Sequence, residues 1–183
     1  MRAPATLTLL LLTACSHGEL RHPHSGPQGR EDPQSPPVQL QGRPQPSPDA
    51  ARVRLYAAPI PRIGWLAVHT WFAVRRPGGR EERWEVWQDA GGPHAHVRKD
   101  LSSPRADVGA GGTFLVAELR GPRAAAVGAV IQRASPLYPC RTRYHYFPGP
   151  NSNTYTRWAL EISGWQARLP ARALGAGFYS RCL

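Results

Sequence analysis

The sequence predicts an α+β domain over residues 52–183, an antiparallel sheet with two helices packed on it. Two observations point to this class. Segments with strand-like alternation, rich in aromatic and β-branched residues, recur between turns built from Pro and Gly. Two stretches also carry helix-start signals followed by apolar residues at helical spacing.

Taken in order, Val53-Arg54-Leu55-Tyr56-Ala57 alternates like a half-buried strand, and Pro59 and Pro61 end it. A longer strand is expected over Trp65–Val74. Pro77-Gly78-Gly79-Arg80 then supplies a turn, and Arg83–Gln88 resumes the alternation, so the two strands make a hairpin. Residues 89–112, rich in Gly, Pro, Ser and Asp, read as a long surface loop. Phe114–Leu119 is a further strand. Gly121-Pro122 opens a helix running to about Ala134, with proline where its missing N–H does no harm. Tyr144–Phe147 reads as a short strand. Asn151 is an N-cap for a second helix whose stripe is Tyr155, Trp158, Ala159 and Ile162, stopped by Ser163-Gly164. No internal repeat is visible.

Ahead of the domain the composition changes. Residues 16–51 hold eight of the 20 prolines and none of the 16 aromatic residues, too little apolar surface to offset ordering entropy. Residues 15–51 are therefore expected to be a disordered, proline-extended tether. Charge divides at the same place. The domain carries 19 Lys+Arg and 8 Asp+Glu, so it accounts for the whole net charge of +11. Such a balance attracts phosphates, nucleic acid or an anionic membrane face. The arginines are scattered along the chain, however, which also fits coding bias.

Arg2, the short apolar run Ala5–Leu12 and Leu12-Thr13-Ala14-Cys15 resemble a lipoprotein signal peptide over residues 1–14 with its lipobox. The run is too short to span a bilayer. The resemblance implies cleavage before Cys15, acylation of Cys15, and attachment to the membrane through it. Ser16 after the cysteine implies, by the sorting rule of enteric bacteria, the outer membrane and a domain facing the periplasm. Export argues against a nucleic-acid partner. Cys140 and Cys182 remain, and in an oxidising periplasm an isolated pair reads as a candidate disulfide.

Reactive groups concentrate in two places. His69 lies mid-strand among apolar neighbours, and Asn151-Ser152-Asn153 opens the second helix, where unpaired N–H groups stabilise an anion or oxyanion. A hydroxyl there needs a base, which His69 would supply, and the base needs an orienting acceptor, Glu85 or the less favourably placed Gln88. A core histidine and a plain capping motif are the bland readings of the same residues. His94, His96, His145 and Asp107 lack a complete zinc set, and His17, His22 and His24 lie in the tether, so no metal site is expected. No phosphate loop or Gly-x-Ser-x-Gly elbow occurs, and no cofactor is expected.

His69-Thr70-Trp71, Trp84-Glu85-Val86, Gly149-Pro150-Asn151-Ser152-Asn153-Thr154-Tyr155 and Leu169–Gly175 resemble the bacterial family called domain of unknown function 3750. More distantly, the order of elements is similar to the circularly permuted NlpC/P60 (papain-like) hydrolases. That likeness implies a cleft with Ser152 in the place of their cysteine, His69 as base and Glu85 as orienter. Trp71, Asn151, Asn153 and Thr154 would line it. The implied ligand is an amide- or ester-containing envelope component, peptidoglycan or lipid. The alternative expectation is a non-catalytic ligand-binding or scaffolding lipoprotein of the periplasm. Oligomeric state leaves no trace in the sequence.

Overall fold

The computed structural model describes residue 47 and residues 50–88 and 95–182, all within the unit spanning Arg43–Leu183. The expected signal peptide, Cys15, nearly all of the expected tether and His94 lie outside the described residues.

Strands β1 (Arg52–Pro59), β2 (Val68–Arg75), β3 (Glu81–Gln88), β4 (Ala95–Lys99) and β5 (Phe114–Arg120) form one antiparallel sheet in the order β4-β3-β2-β1-β5. Helices α1 (Gly121–Ala134) and α2 (Ser152–Ser163) pack on one face of it, so the domain is α+β. Short 3-10 turns follow α1 at Ser135–Leu137 and close the chain at Ala176–Arg181.

Successive side chains of a strand point to opposite faces. Val53 and Leu55 of β1, Phe72 and Val74 of β2, and Trp84 and Val86 of β3 therefore meet the helices. There they join Ile131 of α1 and Tyr155, Trp158 and Ala159 of α2 in the main core. Each large apolar side chain buried in this way contributes about 1.5–3 kcal/mol. The close seat of α1 depends on Gly128, where a Cβ would lie 2.8 Å from Val74 and 3.2 Å from Val53. Tyr56, Ala58, Trp71 and Ala73 occupy the opposite, outer face. Cys140 and Cys182 are joined in a disulfide, with Cα atoms 5.3 Å apart.

Four local expectations need correction. The second strand begins at Val68. Residues 60–67 instead form turns closed by Ile60 N–H to the Ala67 carbonyl and Ala67 N–H to the Ile63 carbonyl. Pro61 withholds an N–H donor there, and Trp65 is exposed. Within the expected 89–112 loop, Ala95–Lys99 is an edge strand paired to β3. Tyr144–Phe147 is not a strand, because the chain doubles back through His145 N–H to the Pro150 carbonyl and finds no ladder partner. Ile162, the last member of the expected α2 stripe, is 40% exposed, because the buried face of α2 runs through Leu160 instead.

Candidate functional site: an apolar cavity at the start of α2

Antiparallel pairing fixes where His69 points. It is paired with Ala58, and its neighbours Val68 and Thr70 take the face that carries the helices, Val68 in a cluster with Ala57 and Ala173. Thr70 donates to Asn153 Oδ1 at 2.8 Å and lies 2.9 Å from Thr156 Oγ1, both on α2. One residue along, His69 must face the other way. It stacks there on Trp87, with ring centroids 4.8 Å apart, and its Nε2 lies 2.8 Å from Glu85 Oε2. His69 and Ser152 thus sit on opposite faces of the sheet, and the expected Ser152–His69–Glu85 relay is not assembled.

The outer-face cluster has its own logic. Glu85 is completely buried, and Arg83 grips it through Nε to Oε1 at 2.7 Å and Nη2 to Oε2 at 2.8 Å. An ionised carboxylate only accepts, so His69 donates its Nε2–H. Burial and the nearby Arg83 cation outweigh Glu85 and hold the His69 pKa below its usual value. Burial pushes the Glu85 carboxyl up, but the bonds from His69 and Arg83 bring it below the ordinary range.

The Arg83 guanidinium also lies 4.0 Å above the Trp71 ring and donates to the carbonyls of Ser103 (3.1 Å) and Ala106 (2.6 Å). Trp71 Nε1–H donates to the Pro104 carbonyl, and the Arg83 N–H to Asp100 Oδ1. Residues 100–108 are thereby strapped over the outer face. Trp71, expected to touch ligand, is buried under this strap.

The helix start is equally committed. Asn151 Oδ1 accepts from the N–H groups of Asn153 and Thr154, and its own N–H donates to Thr154 Oγ1, a complete capping box. The Asn151 amide donates to the carbonyls of Tyr146 and Leu174. Asn153 Nδ2 bonds the carbonyls of Val68 and Leu174. Thr154 Oγ1 donates to the Gly175 carbonyl and is wholly buried, so it does not line a cleft. Gly175 (φ +82°) lets this segment press against the helix start, because a Cβ there would overlap the Asn151 amide.

Ser152 is buried, and its backbone and hydroxyl meet the Tyr144 phenol. Burial pushes the Tyr144 pKa up to about 12, so at neutral pH that partner is no base. With these N–H groups taken, the expected oxyanion hole is absent as well.

Above this polar floor lies a cavity of about 450 Å³. The turns at 60–67 wall it with Ile60, Ile63, Leu66 and Ala67, and the opposite loop with Tyr144, Tyr146 and Phe147. Leu174 closes one side, and Asn151, Ser152 and Asn153 form the base. Its size falls in the range of about 300–1,000 Å³ usual for small-molecule sites. Of the residues expected to bind ligand, Asn151 and Asn153 line it, whereas Trp71 and Thr154 do not. Sequence reading missed its walls. The available signal was Ile60-Pro61-Arg62-Ile63-Gly64-Trp65-Leu66, an apolar run too broken by Pro and Gly to form a strand.

Residues 50–178 match the family described as "Protein of unknown function (DUF3750)". The chain belongs to the DUF3750 family. No curated protein and no solved structure matches it. The DUF3750 match spans all five strands, both helices and every residue lining the cavity. Among the described residues, no group of three or more His, Cys, Asp or Glu is placed to hold a metal ion.

Proposed function

We propose that this DUF3750 protein is a non-catalytic envelope lipoprotein that binds an apolar, acyl-type ligand in the cavity at the start of α2. One observation carries the reading: aliphatic and aromatic walls enclose the cavity over a base whose hydrogen bonds are already satisfied. A ligand held there gains chiefly by leaving water. Polysaccharide would leave its hydroxyls facing apolar walls, so of the two envelope ligands a lipid fits better than peptidoglycan.

The lipobox-like segment ending at Cys15 supports attachment to a membrane through acyl chains, and Ser16 supports the outer membrane with the domain in the periplasm. Among the described residues no helix is long and apolar enough to cross a membrane. The likeness to NlpC/P60 hydrolases is kept as a likeness of element order, without their chemistry, since base and hydroxyl are on opposite sides of the sheet.

The test is binding of cis-parinaric acid, a fluorescent fatty acid, and its displacement by palmitate. Wild-type protein is expected to bind it, while Ile60→Asp and Leu174→Asp, which place a charge in the wall, weaken binding at least tenfold with melting unchanged. Ser152 is expected to take no fluorophosphonate label. Labelling that depends on both Ser152 and His69 would restore the hydrolase reading.

A further inference from the structure

We infer that the end of the domain bearing the cavity mouth docks on an anionic lipid surface, inserting Trp65 and Phe147. Of nine large apolar side chains exposed among the described residues, five fall on the two segments flanking the mouth: Ile63, Trp65, Leu66, Tyr146 and Phe147. Trp65 is 78% exposed, Phe147 74% and Tyr146 65%. A contiguous patch of this kind marks an interaction surface. Trp and Tyr are the residues that settle at a membrane interface, their rings half apolar and half polar.

Charge selects the occupant. Residues 59–68, 140–151 and 170–175 flank the mouth and contain no Asp or Glu. They carry Arg62, Arg143 and Arg172, all exposed. These three arginines thus lie on the segments that bear the apolar tip, which hold no acidic residue. Apolar insertion ringed by arginine is the chemistry of an anionic lipid headgroup region. The tip is also braced for it. Arg172 Nη1 donates to the Gly64 carbonyl at 2.5 Å and holds the Trp65 turn against the body of the domain.

The inference rests on the cavity reading for the origin of the ligand, which would enter from the bilayer. The contact itself stands on Trp65 and the arginines, none of which lines the cavity.

The full chain carrying Cys15→Ser, which removes acylation, is mixed with vesicles of phosphatidylcholine with or without phosphatidylglycerol, bearing brominated acyl chains. Trp fluorescence is expected to be quenched with the anionic vesicles and much less with the neutral ones. Trp65→Ala should abolish the quenching, since Trp65 is the exposed indole. Arg62→Ala and Arg143→Ala should each weaken association about fivefold, an effect that added salt erases. In all three variants parinaric acid binding in vesicle-free solution stays intact, which separates loss of docking from loss of the cavity. Quenching that survives Trp65→Ala, or shows no preference for anionic lipid, overturns the inference. So does a Trp65-dependent dimer in sedimentation without vesicles.

Discussion

His69 is a buried ring held neutral between a carboxylate and an arginine, and this fixes a sign. In the unfolded chain a histidine binds a proton near pH 6.5, whereas the folded site resists it because burial and Arg83 disfavour the cation. The unfolded state therefore binds more protons, and stability falls as pH drops below about 6.5, by up to about 1.4 kcal/mol per pH unit. Glu85, with its pKa depressed, adds a loss that begins as pH falls below the ordinary carboxylate range and is complete once pH has passed its lowered value. Urea titrations at pH 7.5, 6.5 and 5.5 should show the decline in wild type and a flatter profile in His69→Gln. Stability that rises toward pH 5.5 would mean a protonated His69 paired to Glu85. The same cluster makes Arg83 costly to lose. Arg83→Met strands a wholly buried carboxylate and should destabilise by about 3–5 kcal/mol, with early protease cleavage at 100–108 as the strap comes free.

At the scale of elements, α2 begins on a cap that works in both directions. An ordinary N-cap accepts Asp as readily as Asn. Here the Asn151 amide also donates to two carbonyls, so Asn151→Asp would aim a carboxylate oxygen at Tyr146 and Leu174. Asn151→Ala should cost about 2 kcal/mol or more, and Asn151→Asp should be no milder, both read from urea midpoints. Equal stability of Asp and Asn would mean those donor contacts contribute nothing. Such caps explain why the helices were legible: Pro122, Asn151 and Gly164 are local signals that act locally. β1 and β3 were legible from their alternation, and β2 from its aromatic and β-branched residues, although its start lies at Val68 and not at Trp65. β4 was not, because Ala95-His96-Val97-Arg98-Lys99 offers one large apolar residue and is held by its ladder to β3 and not by its own pattern. The polar base of the cavity could be read from the capping motif, but its walls come from turns. The decisive fact about His69 was not local either. Its alternation with Thr70 is plain in the sequence, but which of the two meets α2 depends on how the sheet seats against the helix.

For the whole molecule, the Cys140–Cys182 disulfide ties the loop that carries the cavity's aromatic wall to the end of the described chain. Both cysteines are buried in the main core, and 42 residues separate them, with α2 between. Cross-linking so long a loop removes unfolded-state entropy worth on the order of 4 kcal/mol, a large part of the 5–15 kcal/mol typical of a domain. Two things follow from that position. Reduction, or Cys140→Ala with Cys182→Ala, should lower stability by about that amount in urea titration while unfolding remains a single transition, because the bond lies within the one core. Parinaric acid affinity should fall as well, since the loop bearing Tyr144, Tyr146 and Phe147 is anchored at Cys140 by this bond and at Pro150 by the α2 cap. If affinity is unchanged on reduction, the cap alone positions the wall. The bond would then act on the unfolded chain and leave the site as it is.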